Sequence, residues 1–450
     1  MSQKLQYIAP YDDGSFHFEG AWIVAENSER ALLLGSKGST IALSSTLYKC
    51  LRSGNVSGGL GIKLMQHGLA RADGIPPLEF CRKPKPAYFI IDLINSCNFD
   101  CIYCFRDGEC HSRSTNGRLG EILEYIRCYC TRHSLYRIGI QAWGGEPLLE
   151  ADKIIEIAEF FTGSGICAAI EVETNGSLVD DALAARLKKH GIRLGVSIDG
   201  PRHIHERQRR TRSGESSYDL TMRGIEAIKR HYGNSFGSIS VVTKLSVNSP
   251  EKMIDHLVKI GIKYAKFNIV RDNRYAREGG LLPKMCEIEG FYTHLFDTIC
   301  KCWRAGIEIF ESTIHTRIEN LVLSKRKNCC ESCGCTGGRT IFSFDRFGDI
   351  FPCEMTDFTE ERLGSIDDGD LDELIGKKCE SVFFRERRAD ICNDCPWWYF
   401  CRGGCTSRVH YCGSSGIDEV ACTVNRTLYP LIVKMIVDEP SLADRMLRYK

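Results

Sequence analysis

From Ala87 onward, short apolar runs alternate about six times with amphipathic stretches, and no other feature constrains the fold as tightly. The strand-like runs are Ala87–Leu93, Ile138–Ala142, Ala168–Glu173, Leu194–Ile198, Ser238–Leu245 and Ala265–Val270. Between them lie Glu121–Arg132, Lys153–Phe161, Asp181–His190, Tyr218–His231 and Pro250–Ile260, with the spacing of helices that bury one face. Strands separated by helices imply a parallel sheet, because parallel neighbours need a crossover.

The first 85 residues read as a separate small module. Phe16–Phe18, Ala21–Ala25 and Ala31–Gly35 suggest short strands, and Ser44–Leu51 and Gly61–Leu69 suggest two helices with a Ser N-cap and a Gly stop. A β-rich start followed by paired helices is compatible with a winged-helix arrangement, which can grip a peptide by strand addition. The other reading is an extension that only packs on the rest. Pro84 and Pro86 mark the boundary, giving expected domains of 1–85, 86–325 and 326–450, the last ending in a helix.

Net charge is +1, so nothing calls for nucleic acid or an anionic membrane as partner. The N-terminus lacks the apolar core of a signal peptide and no apolar run is expected to approach a membrane span, so the expectation is a cytoplasmic protein without a membrane partner. The 24 cysteines are unevenly placed: none falls between Cys167 and Cys286, and twelve lie from Cys329 to Cys422. Clustered thiols in a reducing compartment point to metal ligands rather than disulfides.

Cys97, Cys101 and Cys104 follow the first strand in the run Asn-Ser-Cys-Asn-Phe-Asp-Cys-Ile-Tyr-Cys. Three thiolates are one fewer than a four-iron cluster has corners, which leaves one iron open to an outside ligand. Zinc more often draws paired knuckles. This C-x3-C-x2-C spacing, with Tyr103 before the third Cys, resembles the radical S-adenosylmethionine (SAM) enzymes. The resemblance implies a partial (β/α)6 barrel, with the triplet at the C-terminal ends of its strands, where such barrels place their chemistry. It also implies that the open iron chelates the amino and carboxylate groups of SAM.

Gly144-Gly145-Glu146-Pro147 follows the second strand and resembles the family motif that grips the SAM amino group. Thr174 and Asn175 end the third strand; Ser197 and Asp199 end the fourth, as short polar groups suited to a ribose or carboxylate. His205 and Arg209 match the family's spacing after Ser-x-Asp-Gly-Pro, and the resemblance gives Arg209 to the SAM carboxylate, with Arg207 and Arg210 as close rivals. The other arginines between 202 and 212 read as a solvated loop.

The C-terminal cysteines resemble the SPASM extension, which carries two auxiliary four-iron clusters. By position, Cys392, Cys395, Cys401 and Cys422 would hold the distal cluster. Cys335, Cys353 and Cys405 would hold the nearer one, with Cys329 as its fourth ligand and Cys330, Cys333 or an open iron as alternatives. Cys110, Cys128, Cys130, Cys300, Cys302, Cys379 and Cys412 fall outside these patterns and read as buried thiols.

The resemblance therefore implies SAM and three [4Fe-4S] clusters as cofactors, a low-potential donor of flavodoxin or ferredoxin type, and a 5′-deoxyadenosyl radical that removes a hydrogen atom from a peptide. No catalytic side chain beyond the cluster and SAM ligands is expected. Three functions compete. The first is maturation of a ribosomally made precursor peptide by a thioether, C–C or C–O crosslink, favoured by the N-terminal module. The second is formylglycine formation by a sulfatase maturase, and the third is a non-catalytic iron–sulfur carrier. The first predicts that removal of residues 1 to about 83 costs precursor modification while sparing SAM cleavage.

Overall fold

The computed structural model describes residues 6–12, 17–18, 20–35, 38–54, 59–71, 87–106, 117–323, 335–356, 359–377, 381–383, 388–411 and 416–448. Its N-terminal part contains strands β1 (Gln6–Ile8), β2 (Tyr11–Asp12), β3 (His17–Phe18), β4 (Ala21–Glu26), β5 (Arg30–Gly35), β6 (Thr40–Ser44) and β7 (Ala70–Arg71). β1-β4-β5-β6 form an antiparallel sheet, and β2-β3-β7 form a small ribbon beside it. Helix Ser45–Arg52 starts where the Ser44 hydroxyl accepts from Leu47 N, the N-cap read from the sequence. Helix Gly59–Gln66 ends shortly before Gly68, whose φ of 64° lets the chain turn back.

Strand alternation gives this sheet two buried faces. Ile23, Ala31, Leu33, Ile41 and Leu43 cover the two short helices together with Leu51, Leu60 and Leu64. Val24, Leu32 and Leu34 face the other way into the main core, where β4 and β5 pack on helix Glu419–Asp438. Burial of three such side chains contributes about 1.5–3 kcal/mol each. The module is thus fastened to the C-terminal end of the chain.

The barrel strands are β8 (Tyr88–Ile94), β9 (Arg137–Gly144), β10 (Cys167–Thr174), β11 (Arg193–Ser197), β12 (Gly237–Val242) and β13 (Tyr264–Ile269), all parallel and paired in that order. Helices Leu119–Arg132, Ala151–Thr162, Asp181–Lys189, Ser217–Tyr232 and Pro250–Lys259 separate them and bury one face each, as the periodicity predicts. A short seventh parallel strand, β14 (Phe310–Glu311), follows helix Met285–Arg304 and has no counterpart in the sequence reading.

The fold departs from three independent domains at the other edge of this sheet. β15 (Ile341–Phe344) pairs in parallel with β8, from Ile341↔Tyr88 to Phe344↔Ile91. β16 (Asp349–Phe351) and β17 (Gly364–Ser365) continue antiparallel, so a C-terminal meander extends the barrel sheet. Helix Glu419–Asp438 is the one described helix long and apolar enough to cross a membrane by length and composition, contrary to the expectation that no run approaches that length. Val424, Leu428, Tyr429, Ile432 and Val433 on it are buried inside the fold.

Alternation along the barrel strands sends Ile138, Ile140, Ile170, Val172, Leu194 and Val196 outward under the helices. Their neighbours Tyr88, Asp92, Gln141, Trp143, Glu171, Glu173 and Lys266 line the inner face of the sheet. A parallel sheet reading as mostly apolar thus carries a polar interior.

Candidate active site

The triplet loop runs from the C-terminal end of β8 and is held on both sides by backbone. On one side Asp100 N donates to Arg210 O (2.7 Å), Ile102 N to Gln208 O (3.0 Å) and Arg212 N to Asn98 O (3.3 Å). Arg212 Nε also donates to the Cys97 carbonyl at 3.0 Å. The run clamps the triplet through its backbone and Arg212 Nε, while the side chains of Arg202, Arg207, Arg210 and Arg212 are exposed, as expected of all but Arg209.

On the other side stands Gly144-Gly145-Glu146. Gly145 N donates to Ile94 O at 2.7 Å and Glu146 N to Ser96 O at 3.0 Å. A Cβ on Gly144, whose φ is 155°, would sit 2.5 Å from Ile94 O; one on Gly145 would sit 2.3 Å from Ser96 O. Glycine is required because this turn lies directly against the triplet loop.

The buried Glu146 carboxylate accepts from Thr174 Oγ1 (2.7 Å), Leu148 N (3.1 Å) and Asn175 N (2.8 Å). Burial pushes its pKa up, against the pull of those donors. Three of about four lone-pair positions are used, which leaves one on Oε2 for an outside donor. Asn175 Nδ2 donates to Asn98 Oδ1 (2.8 Å) and Asn98 Nδ2 to Ser177 Oγ (2.8 Å), tying the end of β10 to the triplet.

Asp199 is fully buried and acts within the protein. Its Oδ2 accepts from Tyr103 Oη (2.8 Å) and Gln208 Nε2 (3.0 Å), and its Oδ1 from Val241 N (2.9 Å). Arg209 Nε lies 3.1 Å from Oδ2, with the guanidinium 5.5 Å from the Tyr103 ring centroid. Arg209 is 7% exposed, whereas Arg207 and Arg210 are exposed, so the geometry separates the three rivals. His205 is buried beside them; burial lowers its pKa to about 3, and its Nδ1 accepts from Asp199 N. Ser197 is half-buried at the end of β11.

Three groups of thiols come together. Cys101 is half-buried, with Cys97 and Cys104 within electrostatic reach; desolvation raises its pKa, the nearby Arg209 opposes, and the two thiols add to the rise. Cys335, Cys353 and Cys405 form a second mutually interacting set, with Cys405 pushed up to about 11 by burial and then by Cys335. Cys392, Cys395, Cys401 and Cys422 line a single cavity, the third set. Thiols gathered in such sets suit an iron–sulfur cluster, whose charge would ionise all of its ligands at once. Among the described residues no group of three or more His, Cys, Asp or Glu is already arranged to hold a metal ion. Cys329, Cys330 and Cys333 lie outside the described residues, as do Cys110, Cys379 and Cys412. Cys130 and Cys300 are buried as expected and Cys302 is half-buried, but Cys128 is exposed, its Sγ 3.4 Å from Glu124 Oε1.

Sequence reading missed Asn98, Ser177 and Gln208, which organise the site without belonging to a spaced motif. It gave no separate role to Glu173, which ends the third strand and is half-buried on the inner face of the sheet. Burial pushes the Glu173 pKa up to about 7, with Lys266 opposing and Glu354 and Glu171 adding to it.

Residues 91–257 match the family model described as the radical SAM superfamily. The chain carries a radical SAM domain. That family binds SAM and a four-iron cluster, and the matched span starts within β8 and includes the triplet, the Gly-Gly-Glu-Pro turn and Arg209. The chain is 26% identical over 348 residues to a cysteine-type anaerobic sulfatase-maturating enzyme of Clostridium perfringens, covering 74% of this chain and 89% of that one. It is 24% identical over 359 residues to a serine-type counterpart of Klebsiella aerogenes, covering 77% and 86%. Among solved structures it is similar to anSMEcpe with bound AdoMet and Cp18Cys peptide (TM-score 0.67, 22% identity, 81% of this chain and 100% of that one). It is also similar to Streptococcus suis SuiB bound to precursor peptide SuiA (TM-score 0.54, 14% identity, 87% and 96%). These likenesses support a radical SAM enzyme of the maturase group that acts on peptides.

Proposed function

We propose that the chain matures a ribosomally made precursor peptide, removing a hydrogen atom from one residue to install a thioether, C–C or C–O crosslink. The observation that carries this reading is the N-terminal α+β module with β1 at the edge of its sheet, a place where an extended leader can add as a further strand. A leader held there raises the effective concentration of the tethered core peptide at the barrel mouth.

In this reading Cys97, Cys101 and Cys104 hold the SAM-binding cluster, and the other two thiol sets hold auxiliary clusters. With SAM, that cluster supplies a carbon radical able to take hydrogen from an unactivated carbon. The free lone pair of Glu146 and the Gly144-Gly145 backbone receive the SAM amino group, and Thr174, Asn175 and Ser197 border its ribose. Asp199 holds Arg209 toward the SAM carboxylate, a positioning role in place of the direct contact that its strand-end position suggests. The polar inner face of the sheet and the C-terminal meander enclose the reacting side chain and keep water from it.

A sulfatase-maturase reading is supported by the similarity to the two sulfatase-maturating enzymes. Anaerobic incubation of the reduced enzyme with candidate peptides, read by mass, tests both. A crosslink mass change on a leader-bearing precursor is expected; efficient oxidation of a short Cys or Ser peptide, with no crosslinked precursor, would favour the second reading. Cys97, Cys101 and Cys104 all changed to Ala should abolish 5′-deoxyadenosine formation and leave about eight of about twelve irons. Wild-type yields of 5′-deoxyadenosine from that variant would remove the triplet assignment.

A further inference from the structure

Helix Ser312–Leu323 follows β14 and packs on helix Glu419–Asp438. It carries Arg317, which is 2% exposed. A guanidinium stays charged when buried, so its surroundings must compensate it. Arg317 Nη1 donates to Thr313 O (2.7 Å) and Nε to Asn425 Oδ1 (3.0 Å), and the Tyr429 ring centroid lies 5.8 Å away. No carboxylate among the described residues is paired with it, which is unusual for a charge at this depth.

Asn425, 3% exposed, sits one helical turn after Cys422. Because its carbonyl oxygen accepts from Arg317 Nε, its amide nitrogen is turned the other way, and Asn425 pulls the Cys401 pKa down against the effect of burial. Arg317, Asn425 and Cys401 all line one cavity of about 180 Å³ that also reaches Cys405, of the second thiol set. Asn425 borders the cavity lined by Cys392, Cys395, Cys401 and Cys422 as well.

We infer that Arg317 and Asn425 are positioning residues that set the electron affinity of the group held by Cys392, Cys395, Cys401 and Cys422. This rests on reading that thiol set as an iron–sulfur site. An N–H donated to a ligand sulfur draws electron density from it, and a fixed positive charge in a dry interior stabilises an added electron. Both effects make the site easier to reduce. The same cavity reaches Cys405, so the pair biases how an electron divides between the two auxiliary sites.

The test is a spectroscopic redox titration of the full-length, anaerobically reconstituted protein, with iron and sulfide counted on every sample. Asn425→Asp keeps the shape and a partner for Arg317 but removes the N–H and adds a negative charge. It should make one auxiliary cluster at least tenfold harder to reduce, about 59 mV for a one-electron couple, with iron content unchanged. Arg317→Gln keeps a donor toward Asn425 and removes only the charge; it should shift the same cluster in the same direction. Arg317→Lys, which restores the charge, should move it back toward wild type. Unmoved midpoints at wild-type iron content would overturn the inference while leaving the cluster assignment intact. Wild-type protein holding iron for the triplet alone would overturn the cluster assignment and the inference with it. If Asn425→Asp loses iron, Arg317→Gln decides, and an unmoved midpoint in that variant overturns the proposal.

Discussion

Gly145→Ala places one methyl group where the active-site turn meets the triplet loop. The new Cβ would lie 2.3 Å from Ser96 O, 2.6 Å from Ser96 C and 2.8 Å from Asn95 O. The first distance is roughly 1 Å inside ordinary non-bonded contact. All three obstacles are backbone, so no side chain can swing aside. Relief requires the Ser96 peptide to move, which weakens the 3.0 Å bond from Glu146 N to Ser96 O. Overpacking of this kind costs about 1–3 kcal/mol and the hydrogen bond about 1 more, giving about 2–4 kcal/mol. Ser96 precedes Cys97, so the same movement displaces a thiol proposed to hold the SAM-binding cluster. Urea unfolding of the metal-free, reduced protein measures the first effect, and SAM binding after reconstitution measures the second. Gly290→Ala is the control: it lies within helix Met285–Arg304, where an added Cβ would meet nothing within 4 Å, and should gain about 0.5–1 kcal/mol. A Gly145→Ala protein within about 0.5 kcal/mol of wild type, with unchanged SAM affinity, would refute the close-approach account.

Asp199→Ala leaves the buried Arg209 charge without its carboxylate and should cost about 3–5 kcal/mol of stability by urea unfolding; a loss below about 1 kcal/mol would show that the pair does not organise the site. Glu173 has a folded pKa of about 7 against 4.5 in its unfolded reference. The folded state thus holds this proton more tightly, and stability should fall as pH rises from about 4.5 through about 7, by about 1–3 kcal/mol. Glu173→Gln should remove that slope, and an identical slope in the variant would assign it elsewhere. For the module, hydrogen exchange at Gln6–Ile8 should slow when a leader-bearing precursor is added, because strand addition protects edge amides; unchanged exchange at saturating peptide would refute leader binding on β1.

The barrel was legible because each strand presents an apolar face to the covering helices, and each helix buries a single stripe. Ile170 and Val172 under their helices, with Glu171 and Glu173 facing inward, show both signals in one strand. β14 and the sheet extension by β15 were not legible. β14 has two residues, too few for any period to register. The pairing of β15 with β8 joins segments about 250 residues apart, a distance over which local pattern carries no information.

At the site, spacing picks out residues at a fixed interval along the chain, such as Cys97, Cys101 and Cys104, which the fold brings within electrostatic reach of one another. It did not reveal those that act through tertiary contact. Gln208 reaches Asp199, Thr243 and Ser246 from a segment in which spacing marks only His205 and Arg209.

The N-terminal module shows how structure changes the experiment that a sequence suggests. On sequence alone, removing residues 1 to about 83 should spare SAM cleavage, which presumes a unit held on by a linker. Instead Val24, Leu32 and Leu34 lie in the same core as Leu428 and Ile432 of the helix that also bears Cys422 and Asn425. Thr40 Oγ1 donates to Leu321 O on the helix of Arg317, and a Cβ on Gly38 would overlap the Tyr399 ring, two residues from Cys401. Truncation would uncover that apolar surface and disturb the distal thiol set before any question of peptide binding arose. β4 and β5 rest on the helix that bears Cys422, so under the proposed cluster assignment a leader that ordered this sheet would also order one thiol of the distal set.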